Sequence, residues 1–122
     1  MVKGILINVD KALFQVVDVK TYTNIAKKIH CNYSPNDDEN ELDCDVRIIG
    51  KNKYNIFSVK YGATKEKVYL TYVTNEFYDC LVGNLFIVGY SEKTNNRSLT
   101  DDEIKEITSH LTIIDGIPMI IR

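Results

Sequence analysis

The sequence predicts an α+β fold in which a mostly antiparallel sheet of five to seven strands carries two helices packed on one face. Two observations support this prediction. Short apolar, β-branched runs recur along the chain with brief polar links between them, and such links join strands that pair antiparallel. Two other segments space their apolar residues as helices do, and each follows a residue that can cap a helix. The length of 122 residues fits a single domain, 1–122.

The N-terminal part of the chain predicts a hairpin followed by a helix. Residues 2–9 and 13–19 are apolar and β-branched, and the link between them has hairpin length. Thr21 then offers an N-cap oxygen to a helix. This helix places its apolar residues at positions i, i+3, i+4 and i+7, namely at Tyr22, Ile25, Ala26 and Ile29. The polar segment 32–43 shows no periodicity and is interpreted as a loop.

The middle of the chain predicts further strands. Residues 44–50, 51–60 and 67–73 alternate or are rich in β-branched and aromatic residues. Residues 84–90 are almost entirely apolar, which predicts a central strand covered on both faces. Between these strands, residues 74–82 fit either a short helix or an irregular crossing, and the sequence leaves that choice open.

A second helix has the most complete set of local signals. Thr100 and Glu103 have the spacing of a capping box, and Leu99 and Ile104 have the spacing of a hydrophobic staple. An apolar stripe follows at Ile104, Ile107 and Leu111. Beyond it, Asp115 and Gly116 predict a turn, and Pro118 predicts that the last run is an edge strand or an extended tail. That apolar tail fits either a place in its own sheet or pairing across a homodimer.

The charge balance and the cysteines exclude several classes of protein. The chain has 15 basic and 17 acidic residues, so it lacks the positive excess that direct nucleic-acid binding needs. Three cysteines without paired spacing do not suggest a disulfide framework. Residues 1–20 contain charges and read as neither a signal peptide nor a membrane span. We therefore expect a soluble, cytoplasmic protein with no membrane partner.

The densest charge is acidic. No Lys or Arg lies between Cys31 and Val46, and this segment holds six carboxylates, at Asp37, Asp38, Glu39, Glu41, Asp43 and Asp45. These residues, with the nearby Tyr33, are the predicted site for a protein partner that has a basic surface. The alternative is a solvated loop that also blunts a sheet edge. A calcium loop is not indicated, because the glycine and terminal glutamate of an EF-hand are missing.

Catalytic and cofactor patterns are weak. His30, His110 and the three cysteines lack the C-x-x-C spacing of a zinc site. The glycines around residues 82–89 do not form a phosphate-binding loop, and the tyrosines of the strands are better explained as half-buried sheet residues than as base-stacking platforms. The sequence therefore predicts a protein that is not an enzyme and has no cofactor.

Two stretches, 2–29 and 81–107, together resemble a family of short proteins of unknown function encoded by phages, plasmids and integrated elements of Gram-positive bacteria, often near anti-restriction genes. The resemblance covers roughly half the chain and rests on a late motif, G-N-x-x-I-V-G followed by S-L-T-D-D-E-I. Its residues here are Gly83, Asn84, Ile87, Val88, Gly89, Ser98, Leu99, Thr100, Asp101, Asp102, Glu103 and Ile104. The resemblance implies a mobile-element accessory protein and assigns no active-site residue.

Two functions remain open on this basis. In the first, the protein binds a host protein and inhibits an antiviral defence system, of anti-CRISPR or anti-restriction type, through its acidic segment. In the second, it binds a small ligand and sequesters a nucleotide signal, for which the sheet tyrosines and Lys60 or Lys67 are the candidate residues.

Overall fold

The computed structural model describes residues 1–34, 40–60, 69–93 and 95–122. Two helices lie in these ranges, α1 (Tyr22–Ile29) and α2 (Asp101–Ser109). The strands in chain order are β1 (Val2–Asn8), β2 (Leu13–Val19), β3 (Leu42–Ile49), β4 (Asn52–Val59), β5 (Leu70–Val73), β6 (Leu81–Val82), β7 (Leu85–Ser91), β8 (Asn95–Arg97), β9 (Leu111–Ile114) and β10 (Ile117–Ile121). The predicted α+β class is confirmed.

The larger sheet is antiparallel and has the order β2-β1-β7-β4-β3. Strand β8 pairs with the last three residues of β7, from Gly89 to Ser91. Strand β7 lies at its centre, and the residues from Leu85 to Val88 are all fully buried. A strand that is covered on both faces must be apolar on both faces. The sequence prediction of a central strand at 84–90 is therefore confirmed.

A second, smaller sheet was not predicted. Its order is β6-β5-β10-β9, and within it β10 and β5 are parallel while the other neighbours are antiparallel. The undecided segment 74–82 proves to be a 3-10 turn, Phe77–Asp79, followed by the short strand β6. This sheet covers one face of the larger one, because Tyr72 and Ile120 pack in the same buried cluster as Ile5 and Ile87.

The two helices lie on opposite faces of the larger sheet, so the prediction that both pack on one face is wrong. Ile107 of α2 packs with Ile5 and the second sheet, whereas Ile25 of α1 packs with Leu6 on the other side. Successive residues of a strand point to opposite faces, and the buried runs from Ile5 to Ile7 in β1 and from Leu85 to Val88 in β7 are apolar at consecutive positions. Each face therefore needs its own cover, and one helix is available for each.

Both predicted helix starts are confirmed. Thr21 accepts a hydrogen bond from the amide of Asn24 at the start of α1. At the start of α2, the Thr100 hydroxyl accepts from the Glu103 amide at 3.2 Å, and the Glu103 carboxylate accepts from the Thr100 amide at 2.9 Å. In the described ranges, neither helix is long and apolar enough to cross a membrane.

The C-terminal run is an interior strand, so its prediction as an edge strand or tail is wrong. The turn at Asp115 and Gly116 is confirmed, with φ angles of 52° and 80°, and it joins β9 to β10. The Ile121 amide donates to the carbonyl of His110, so Ile121 and His110 are a hydrogen-bonded pair. Hydrogen-bonded and non-hydrogen-bonded pairs alternate along an antiparallel ladder. Pro118 therefore falls in a non-hydrogen-bonded pair with Ile113. Proline is tolerated there because its nitrogen faces β5, whose pairing with β10 begins only at Ile120.

Candidate functional site

Two aromatic rings project from the molecule side by side. The side chains of Phe77 and Tyr78, in the 3-10 turn between β5 and β6, are 82% and 78% exposed. Burying a large aromatic side chain is worth about 1.5–3 kcal/mol. Two adjacent rings left in water are therefore a candidate contact surface, because aromatic residues are enriched in protein interfaces.

The backbone that carries these rings is held by specific contacts. The Asp79 amide donates to the Glu76 carbonyl at 2.9 Å, and the Cys80 amide donates to the Phe77 carbonyl at 3.1 Å. The guanidinium Nε of Arg47 in β3 donates to the Asp79 carbonyl at 3.1 Å. These bonds fix the turn against the edge of the larger sheet, so a partner would meet a turn whose conformation is already set.

A groove of about 280 Å³ separates the turn from the end of β3. Its walls include the two rings, Asp43 of β3, Ser58 and Val59 of β4, Leu81 of β6, and Lys60, which follows β4. Asp45 and Arg47 lie on the same face of β3 as Asp43, because they follow it at two-residue intervals. We call Phe77, Tyr78, Asp43, Asp45 and this groove the aromatic–acidic surface.

The charges of this surface interact with one another. The Asp45 carboxylate lies 3.8 Å from the Arg47 guanidinium. Burial and the charge of Asp43 raise the pKa of Asp45, and Arg47 opposes that rise. Since like charges repel, a cation on a partner would relieve the repulsion between Asp43 and Asp45. The surface is thus suited to a basic side chain beside an apolar one.

Two other predicted partner-binding residues, Glu41 and Tyr33, do not join this surface. The Glu41 carboxylate accepts a hydrogen bond from the Asn32 amide at 2.9 Å, which makes it a brace for its own loop. Tyr33 lies on the α1 side of the sheet, where its ring centroid is 6.3 Å from that of Tyr22, whose ring in turn packs on Phe57. Asp37, Asp38 and Glu39 lie outside the described residues.

Two of the strand tyrosines considered for a ligand or a nucleic-acid base, Tyr54 and Tyr72, belong to the core. Tyr54 and Tyr72 are fully buried. The Tyr54 hydroxyl donates to Glu106 and the Tyr72 hydroxyl donates to the Ile48 carbonyl, each at 2.6 Å. Lys60 lines the groove described above, and Lys67 lies outside the described residues. The two buried tyrosines serve the core, as expected for half-polar aromatic residues that find a partner for the hydroxyl.

The histidines and cysteines are dispersed. Nδ1 of His30 lies 3.4 Å from Asp10, and Nδ1 of His110 lies 2.9 Å from the carbonyl of Ile121. Burial and the charge of Glu41 raise the pKa of Cys31 to about 11, so this thiol stays protonated at neutral pH. Within the described ranges, no three His, Cys, Asp or Glu side chains come together in a way that could hold a metal ion.

Sequence reasoning found the carboxylates of β3 but missed the aromatic pair. The stretch 74–82 has neither helical nor strand periodicity, so nothing marked its aromatic residues as core or surface. Two adjacent aromatic residues inside such an aperiodic stretch were the available signal, because a pair of neighbours cannot both face one core in an extended chain.

Comparison with other proteins found no relative. No model of a known protein family, no curated protein and no solved structure matches this chain. A function must therefore be argued from the contacts and exposure of the described residues.

Proposed function

We propose that this protein acts by binding another protein through the aromatic–acidic surface, and that it has no reaction of its own. The observation that carries the proposal is the exposure of Phe77 and Tyr78, at 82% and 78%, on a turn that hydrogen bonds hold in place. A few central aromatic residues commonly supply most of the binding energy of an interface. Rings presented by an ordered backbone also lose little conformational entropy on binding.

The carboxylates specify the kind of partner. Asp43 and Asp45 stand on the strand that borders the rings, so a partner surface with Lys or Arg beside an apolar patch is complementary. Charge of this kind mainly accelerates encounter and excludes wrong partners, while apolar burial supplies affinity. The rings and the carboxylates thus have separable effects on the dissociation rate and the association rate.

The resemblance to mobile-element proteins suggests where the partner belongs. A small protein carried by a phage or plasmid benefits when it occupies a host protein that would attack the element. We propose a component of an antiviral defence system, of anti-CRISPR or anti-restriction type, as the host protein. Many proteins of such systems bind nucleic acid, and nucleic-acid binding requires the basic surface that the carboxylates would meet.

The test is capture of a partner from a lysate of a Gram-positive host, followed by binding measurements with the purified partner. Phe77→Ala and Tyr78→Ala should each weaken binding about 30-fold, equivalent to about 2 kcal/mol. Asp43→Asn with Asp45→Asn should slow association at low salt and have less effect at high salt.

Leu13→Ala is the matched control, since Leu13 is an exposed apolar residue on β2, at the opposite edge of the larger sheet. It should leave binding unchanged. If the Phe77 and Tyr78 variants bind the partner as tightly as the unmodified protein, the proposed contact surface is wrong.

A further inference from the structure

Strand β9 forms the outer edge of the second sheet, and no strand in the described part of the chain pairs with that edge. Because the His110–Ile121 pair is hydrogen-bonded, the Leu111–Ile120 and Ile113–Pro118 pairs are non-bonded. The amide and carbonyl groups of Leu111 and Ile113 therefore point away from β10. They form a template on which another strand can add.

The side chains of β9 extend from the buried core to an exposed apolar surface at this edge. Leu111 packs against the buried cluster that contains Ile120 and Ile107. Ile113 follows Leu111 at a two-residue interval and so lies on the same face, yet it is 63% exposed. Ile114, on the other face, is 48% exposed. The apolar layer between the sheets thus ends in an uncovered isoleucine.

The other sheet edges are protected in ways that β9 is not. Strand β2 carries Asp18, β3 carries Asp43, Asp45 and Arg47, and β6 has only two residues. Charges and short length are the usual means by which proteins prevent edge-to-edge pairing. Strand β9, with the sequence LTII, has no charge and no proline.

We propose that β9 pairs antiparallel with β9 of a second copy of this chain, joining the two small sheets across a two-fold axis. Identical strands face each other in such a pairing, so a charged strand would meet its own charge, whereas LTII meets none. The outward backbone groups of Leu111 and Ile113 must pair with outward groups of the second copy, and the pairing centred on Thr112 uses all of them. Leu111 pairs with Ile113 of the second copy, and Thr112 faces Thr112 of the second copy across the axis.

This register satisfies the side chains as well as the backbone. Leu111 and Ile113 of the two copies come together on the core-facing side and cover the exposed isoleucines. The two Thr112 residues form a non-hydrogen-bonded pair with Cα atoms about 4.5 Å apart, in which Thr–Thr contacts are favourable. The order β6-β5-β10-β9 places this interface at the opposite edge from β6 and the aromatic–acidic surface, so a dimer would present two such surfaces.

Sedimentation equilibrium of the full chain tests the dimer. Since the paired strands are short, we expect a dissociation constant on the order of 10–100 µM. Ile113→Lys should raise this constant at least about tenfold, because it removes the apolar contact with Leu111 of the second copy and places two like charges at diagonal positions across the pairing. Val16→Lys, the same change at an exposed residue of the β2 edge, should leave the constant unchanged.

A cross-link tests the register. In a Cys44→Ser background, which removes the exposed native thiol, Thr112→Cys should form a covalent dimer on mild oxidation, since Cys pairs at such sites have disulfide geometry. Lys93→Cys, at an exposed turn residue, should not. A chain that stays monomeric at millimolar concentration, or equal cross-linking of both variants, would overturn the proposal. Assembly beyond the dimer would also overturn it, because a two-fold pairing of edges is closed.

Discussion

Arg97 lies across Gly89 and reaches Glu103, and this contact joins the central strand to α2. Gly89 on β7 and Arg97 on β8 stand directly opposite each other in the sheet. The guanidinium Nη1 and Nη2 atoms of Arg97 donate to the two carboxylate oxygens of Glu103 at 2.6 and 2.7 Å. Glu103 also closes the capping box with Thr100. Gly89 and Glu103, two residues of the late sequence motif, therefore serve to attach α2 to the central strand.

Gly89→Ala should destabilise the protein by about 1–3 kcal/mol. A Cβ at residue 89 would lie 2.5 Å from Nη1 and 2.9 Å from Cγ of Arg97, so the Arg97 side chain must shift, which weakens its paired hydrogen bonds to Glu103. The free energy of unfolding in urea measures the loss. In an Arg97→Ala background the same glycine change should cost much less, since the obstructed side chain is gone. An equal cost in both backgrounds would show that Gly89 is needed for another reason.

Tyr54→Phe should cost about 2 kcal/mol of unfolding free energy. The Tyr54 hydroxyl donates to the Glu106 carboxylate at 2.6 Å from a fully buried ring. Glu106 also accepts from the side-chain amide of Asn52 and from the Lys51 amide, so it ties α2 to the turn between β3 and β4. Tyr90→Phe is the control, because Tyr90 is only partly buried, and it should change stability by less than about 0.5 kcal/mol.

Stability should fall as the pH drops below about 4.3, the unfolded-state pKa of glutamate. The hydrogen bonds from Arg97 lower the pKa of Glu103. Burial raises the pKa of Glu106, but the hydrogen bonds from Tyr54, Asn52 and the Lys51 amide outweigh it and leave that pKa lowered. A carboxyl whose pKa is lower in the folded state binds fewer protons there, so its stabilisation is present above the unfolded pKa and disappears as the pH falls through the folded pKa.

Urea unfolding across this acid range measures the effect. The double variant Glu103→Gln with Glu106→Gln should be less stable at neutral pH and should show a flatter dependence on pH. A dependence as steep as that of the unmodified protein would assign the acid sensitivity to other carboxylates.

The parts of the fold that the sequence predicted are those set by neighbouring residues. Thr100 and Glu103 stand three positions apart, so the hydrogen bonds that cap the helix are local. The apolar run at 84–90 needs cover on both faces in any sheet. The second sheet depends instead on the parallel pairing of Ile120 with Tyr72, residues far apart in the chain, and no local pattern encodes it. The predicted placement of both helices on one face was wrong for the same reason, because the true placement depends on which face the second sheet covers.

The candidate site divides in the same way. Asp43 and Asp45 could be identified as acidic from the sequence, whereas the use of Glu41 to brace Asn32 follows from a loop closure that only the structure shows. The position of Tyr33 on the α1 side of the sheet could not be predicted either, because it depends on the packing of Tyr22 on Phe57. Surface roles are harder to predict than core roles, because solvent-exposed positions leave little periodic signal.

The double variant Phe77→Ala with Tyr78→Ala should leave the free energy of unfolding within about 0.5 kcal/mol of the unmodified value. Exposed rings gain little from folding, so their removal costs the folded state little, while a protein that uses them to bind a partner loses that partner. Tyr72→Phe is the contrasting control, because it removes a buried hydroxyl that donates to the Ile48 carbonyl, and it should cost about 1 kcal/mol. A loss above about 2 kcal/mol in the double variant would mean that the rings stabilise the fold, and their exposure would no longer argue for a contact surface.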